Sequence, residues 1–143
     1  MDNKDKTPPE YHLDIQVGFL LRRATQRHLA IFAGLIPDLT STQFATLAKL
    51  CELGPISQNA LGRHTAMDAA TIKGVVDRLR KKGLVASEPD PDDQRRIIVM
   101  PTDVGRAAYK SFCGPALSVT EKTLAPLSDE ERAIFLQYLE KLT

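Results

Sequence analysis

Tryptophan is missing from this chain, cysteine occurs twice, and aromatic residues fill only 6% of its 143 positions. Cys51 and Cys113 stand far apart inside helical patterns, which argues against a zinc site or a disulfide framework. No apolar stretch approaches the ~18 residues that a membrane span needs. The polar opening, residues 1–10, lacks the apolar core of a signal peptide, so a cytoplasmic location without membrane contact is expected. The histidines His12, His28 and His64 show no metal-ligand spacing. A Gly-rich phosphate loop and a serine in a nucleophile elbow are also absent. Asp92 and Asp93 fall in a solvated turn, where burial does not tune an acid/base pair. Neither enzymatic activity nor a cofactor is expected. Net charge points nowhere either, at +1 from 19 basic and 18 acidic residues.

What the chain has is a globular balance, 43% hydrophobic and 26% charged, at a length that suits one domain over residues 1–143. Helix-forming Ala, Leu, Arg, Lys and Glu dominate. Charge is unevenly placed. Lys73, Arg78, Arg80, Lys81 and Lys82 face a single acid, Asp77, whereas the stretch after Ser118 carries Glu121, Asp129, Glu130, Glu131 and Glu140.

Residues 1–9 read as a mobile arm. A first helix is expected over residues 10–33, with Leu13, Val17, Leu20, Ala24, Arg27/His28 and Ile31 as its buried stripe, ended by Gly34 and Pro37. Thr40 and Gln43 form a capping box for a second helix whose apolar face is Phe44, Leu47, Ala48 and Cys51, stopped at Gly54-Pro55. Ser57 caps a short third helix, residues 58–63. After a turn, Asp68 caps a fourth that turns Ile72, Val75, Val76 and Leu79 inward and ends at Gly83. Strands at 84–87 and 96–100 flank a polar turn. Thr102 starts a fifth helix to about residue 126, with a bend possible at Gly114-Pro115. Ser128 and Glu131 box the start of a last helix, with Ala133, Phe135, Leu136, Leu139 and Leu142 on its apolar side. This order, α-α-α-α-β-β-α-α, describes a mainly α winged helix-turn-helix. Residues 40–101 are expected to form a DNA-binding lobe, and residues 10–36 and 102–143 to supply dimerisation helices.

Several local motifs carry a resemblance over residues 40–106. They are Leu61-Gly62-Arg63 through Met67, Asp68 through Leu79, Lys82-Gly83-Leu84-Val85, the wing's Asp93-Gln94-Arg95, and Thr102-Asp103-Val104-Gly105-Arg106. In these the chain resembles the multiple-antibiotic-resistance regulator (MarR) family. The resemblance implies a homodimer that binds a pseudo-palindromic operator as a repressor and is released by a small molecule. The segment from Val17 to Ala24, with Gln26-Arg27-His28 after it, looks like a branch that answers to nicotinate or hydroxynicotinate. The family's peroxide-sensing branch keeps a cysteine near the start of the first helix. This chain has none there, so that redox route is not expected.

The fourth helix suits the major groove, which displays distinguishable base edges. Ala69 and Ala70 are placed for thymine methyls, Thr71 for a base or phosphate, and Lys73 for guanine, while Gly74 permits close approach. Arg78 and Arg80 suit phosphates, as do Ser57 and Gln58 at the third helix. Arg95 at the wing tip is the natural probe of a narrow minor groove, braced by Asp93 pairing with a nearby base. For Arg80, Lys81 and Lys82 a solvated face that complements the helix dipole explains the charge equally well.

On the first helix His12, Gln16, Phe19 and Arg23 form a polar-aromatic strip. The family resemblance implies that small aromatic acids bind between the dimerisation helices and the DNA-binding lobe. Arg23 and His12 would then take the carboxylate and Phe19 the ring, with Tyr11 and Phe44 completing the site. A rival reading is a winged helix that binds protein without sequence-specific DNA contact.

Overall fold

The computed structural model describes residues 9–143, so the arm read at the N-terminus, Pro9 excepted, lies outside the described residues. A 3-10 turn at Leu13–Ile15 precedes α1 (Val17–Leu35), α2 (Ser41–Leu53), β1 (Ile56–Ser57), α3 (Gln58–His64) and α4 (Ala69–Lys81). Strands β2 (Val85–Pro89) and β3 (Ile97–Pro101) follow, then α5 (Asp103–Thr123) and α6 (Asp129–Lys141).

Caps fix most helix starts. Thr40 and Ser128 each accept from the residue three places on, and Gln43 and Glu131 reach back to close both capping boxes. Asp68, Ser57 and Thr102 cap α4, α3 and α5 in the same way. The expected start of α1 is wrong by several residues. Gln16 is extended, at φ −82° and ψ 140°, and separates the 3-10 turn from the helix. Gly34 sits inside α1 rather than ending it.

The core joins helices α1 through α5 and the sheet. Ile36, Leu47, Leu50, Leu61, Ile72, Leu79, Val76 and Val99 are fully enclosed. All four inward residues expected on α4 are buried. The stripe assigned to α1 is not. Leu13, Val17 and Leu20 are 52%, 65% and 48% exposed, and Phe32 and Ile36 do the burying instead. The apolar side of α6 is likewise uncovered within the protomer, including Phe135, Leu136 and Leu142.

Strand β1 was not legible in the sequence, and it makes the sheet three-stranded in the order β1-β3-β2. All pairs are antiparallel, with Ile56 opposite Val99 and Val99 opposite Ser87. Since Ser57 ends β1 and caps α3, the wing is stitched to the entry of the helix-turn-helix. Helix α5 runs unbroken through Pro115.

The Thr-x-x-Gly motif has a structural explanation. The Thr102 hydroxyl donates to the Gly83 carbonyl at 2.7 Å and accepts from the Gly105 amide at 3.0 Å. Its own amide donates to the Leu84 carbonyl at 3.1 Å. The motif seats the first turn of α5 on the segment that leaves α4.

Candidate nucleic-acid interface and effector site

Helix α4 is sharply two-sided. Ile72, Val75, Val76 and Leu79 are buried, whereas Ala69, Ala70, Thr71, Lys73, Arg78 and Arg80 are exposed and Gly74 is half-buried. The Asp68 carboxylate accepts from the Thr71 amide at 2.7 Å. That bond, with weaker help from the Ala70 amide, holds the Asp68 carboxyl below its ordinary value. The cap consumes one free N–H and leaves the first turn of α4 facing outward.

Entry to α4 requires a tight turn. Ala66 takes a left-handed φ of 56°, and Gly62 packs where a Cβ would lie 3.0 Å from the Met67 carbonyl oxygen. The short α3 is thereby packed against the backbone of the turn and, at 3.2 Å from the same Cβ position, the Ile72 side chain of α4, which a larger residue at 62 would loosen.

On the outward face the cations are not equivalent. Lys73 lies 3.4 Å from Asp77, and Arg80 lies 3.1 Å from the other oxygen of the same carboxylate. Arg80 also donates to the Ser87 hydroxyl at 2.9 Å on β2. The Arg78 side chain folds back over Gly74, its Nη1 3.6 Å from where a Cβ would stand.

The wing turn is built by two aspartates. Asp90 accepts from the Asp92 amide at 2.9 Å, and Asp93 accepts from the Arg95 amide at 3.1 Å. Asp93 also lies 3.5 Å from the Arg95 guanidinium, whose side chain is 94% exposed. Asp93 thus braces Arg95 itself, with an Asx-type turn and a weak ion pair. Ser57, Gln58 and Asn59 line a small cleft with Arg95, Arg96 and Ile97, so the start of α3 and the wing share one surface. Asn59 and Arg96 also line this cleft and were not singled out in the sequence, because only the β1–β3 pairing brings the start of α3 beside the wing.

The expected effector residues do not form one strip on the first helix, because His12 and Gln16 precede α1 and the extended backbone at Gln16 breaks the helical spacing. Gln16 donates to the His12 carbonyl at 2.9 Å, and His12 faces Glu10 at 3.5 Å. Arg23 sits 5.8 Å from the centre of the Phe19 ring, a cation–π pair. Tyr11 is 71% exposed. Phe44 stands elsewhere, between Phe32 at 6.2 Å and Tyr109 at 6.1 Å. With Ala48, Tyr109, Cys113, Ala116 and Leu117 it lines a groove of about 400 Å³ between α2 and α5. Burial raises the nearby Cys51 thiol, although Arg106 opposes the shift. A protonated, half-buried thiol is a poor nucleophile.

A tight helix-turn-helix with an exposed reading face, stitched to a hairpin wing, defines a winged-helix transcriptional regulator. A model of the MarR family matches residues 39–97. The HTH-type transcriptional repressor NicR of Pseudomonas putida is 44% identical over 140 residues, 96% of this chain and 87% of that protein. The chain belongs to the MarR family. A probable transcriptional regulator from Pseudomonas aeruginosa shares 49% identity at a TM-score of 0.89, over 92% of this chain and 100% of that one. Bordetella bronchiseptica BpsR, whose structure addresses regulation of its DNA binding by 6-hydroxynicotinic acid, shares 40% identity at a TM-score of 0.89. That match covers 93% of this chain and 96% of BpsR.

Proposed function

We propose that this protein is a homodimeric repressor that grips a pseudo-palindromic operator and lets go when a small aromatic acid of the hydroxynicotinate type binds. The observation that carries the reading is the two-sided α4, with Ala69, Ala70, Thr71 and Lys73 outward over a row of buried aliphatic side chains. In the groove these four meet base edges, and Arg78, Ser57 and Gln58 meet phosphates. Arg95 enters the adjacent minor groove. Arg80, held by Asp77 and Ser87, stands apart from this set.

Dimerisation accounts for the uncovered apolar side chains at the two ends of the chain. Leu20, Leu21, Ile134, Phe135, Leu136 and Tyr138 are each 40–59% exposed in one protomer. A two-fold pair buries such a face and spaces two reading helices about one DNA turn, ~34 Å, apart. Residues 40–101 then form the reading lobe, and the flanking helices join the protomers.

The effector reading draws on NicR and BpsR and on the chemistry of α1. Arg23 beside Phe19 offers a cation next to a ring, a fit for an aromatic carboxylate. Tyr11, His12 and Gln16 precede α1, around the 3-10 turn, and Phe44 marks a groove between α2 and α5. The protein works by binding rather than catalysis, inside the cytoplasm; no helix among the described residues is long and apolar enough to cross a membrane.

The test is selection of duplexes from a random-sequence pool, followed by titration across salt concentrations. An inverted repeat whose affinity falls steeply with salt supports the reading. Failure to enrich any sequence, or salt-insensitive capture, overturns it.

A further inference from the structure

Arg80 belongs to the basic cluster that ends α4, and that position invites a phosphate contact. Its guanidinium is already engaged on two sides. Nη2 lies 3.1 Å from Asp77 Oδ1, one turn back on the same helix. Nη1 donates to Ser87 Oγ at 2.9 Å across the gap to β2. Asp77 also holds Lys73 at 3.4 Å through its second oxygen. The row continues through the sheet, because Ser87 pairs with Val99 and Val99 with Ile56, the residue before the cap of α3. Side-chain bonds from Lys73 to Ser87, continued by strand pairing across Val99, therefore connect the reading helix, the wing, and the entry of the helix-turn-helix.

We infer that Arg80 is a positioning residue that sets the angle between reading helix and wing. Lys73 then reaches the major groove in register with Arg95 in the minor groove. The inference rests on the operator-binding reading above. A guanidinium suits the task because its planar fork fixes two acceptors in set directions, whereas an ammonium is a point charge. The hydroxyl of Ser87 is the matching receiver, and its strand carries the wing tip. The same geometry makes Arg80 a poor phosphate ligand, since two edges of its fork are turned toward protein.

The two roles separate in measurement. A phosphate ligand retains most of its effect in Arg80→Lys, and its removal lowers the slope of log affinity against log salt by about 0.9. A brace fails in Arg80→Lys, leaves that slope alone, and fails equally when Ser87 loses its hydroxyl. The experiment titrates the wild type, Arg80→Lys, Arg80→Ala, Ser87→Ala and Ser87→Thr on a duplex selected by the wild type and on a scrambled one. Thermal melts of each variant confirm that the fold is kept. Arg80→Lys and Ser87→Ala are expected to lose about five- to tenfold on the selected duplex, the net worth of one hydrogen bond at a half-exposed site. Their scrambled-duplex affinity and salt slope should stay at wild-type values, and Ser87→Thr should restore binding. A double-mutant cycle of Ser87→Ala with Arg95→Ala should be non-additive, because the wing contact depends on the brace. Wild-type behaviour of Arg80→Lys and Ser87→Ala, or a reduced slope in Arg80→Ala, overturns the inference while leaving operator binding intact. A wild type that selects no duplex overturns the operator reading and the inference with it.

Discussion

The Cα of Gly105 rests against the Leu84 carbonyl, so closely that a Cβ at 105 would collide with that oxygen. The first turn of the long helix α5 is thus pressed onto the segment joining reading helix and wing. The contact joins α5 to that junction through packed backbone rather than through a flexible side chain.

Gly105→Ala should therefore destabilise the protein by about 1–3 kcal/mol, the usual cost of overpacking a closed site. The melting temperature should fall by roughly 2–4 °C for each kcal/mol. An unchanged melt would mean that the contact relaxes without cost.

Stability should also fall in acid through two helix caps. The Asp68 carboxyl is held below its ordinary 3.8 by the Thr71 amide, and Glu131 below its ordinary 4.5 by the Ser128 amide. A carboxyl depressed on folding contributes fully above its unfolded value, and the contribution is lost as pH falls through the lower folded value. Denaturation followed from pH 6 downward should show this loss beginning near pH 4.5. Asp68→Asn keeps an oxygen for the cap and should flatten the aspartate share of that fall. An unchanged acid profile in this variant would contradict the assignment.

Arg95→Ala should weaken operator binding by about tenfold while leaving the wing folded, since the arginine is nearly all solvent-exposed. Lys73→Ala should instead narrow the gap between selected and scrambled duplexes. A uniform loss on every sequence would make Lys73 a phosphate contact.

Placing glutamate at Leu20 or Leu136, both about half exposed in the protomer, should shift the mass from dimer to monomer. Unpaired charge is costly in a buried interface. Light scattering reads the change, and operator affinity should fall with it, because each half-site is then bound alone. A persistent dimer would move the interface elsewhere.

The sequence displayed its local chemistry and concealed its distant contacts. The starts of α2, α3, α4, α5 and α6 were legible because Thr40, Ser57, Asp68, Thr102 and Ser128 each satisfy an amide three residues away. The start of α1 was not, since Gln16 makes no side-chain cap and apolar residues continue at helical spacing across it. That spacing is real, but Leu13, Val17 and Leu20 serve a face left open in one protomer. Strand β1 is two residues long, and its partner lies some forty residues on, so no local pattern announced it. The link from Arg80 to Ser87 was hidden for the same reason. The i,i+3 pair with Asp77 could be read along the helix, whereas the wing hydroxyl could not.

In the proposed mechanism an aromatic acid and operator DNA compete for one protein. The most direct test holds the wild-type protein on a fluorescent selected duplex and titrates 6-hydroxynicotinate, with aliphatic acids as controls. The hydroxylated aromatic acid should release the duplex from the wild type but not from Arg23→Ala, which should still bind DNA. Operator affinity and melting temperature that ignore every aromatic acid tested would contradict it.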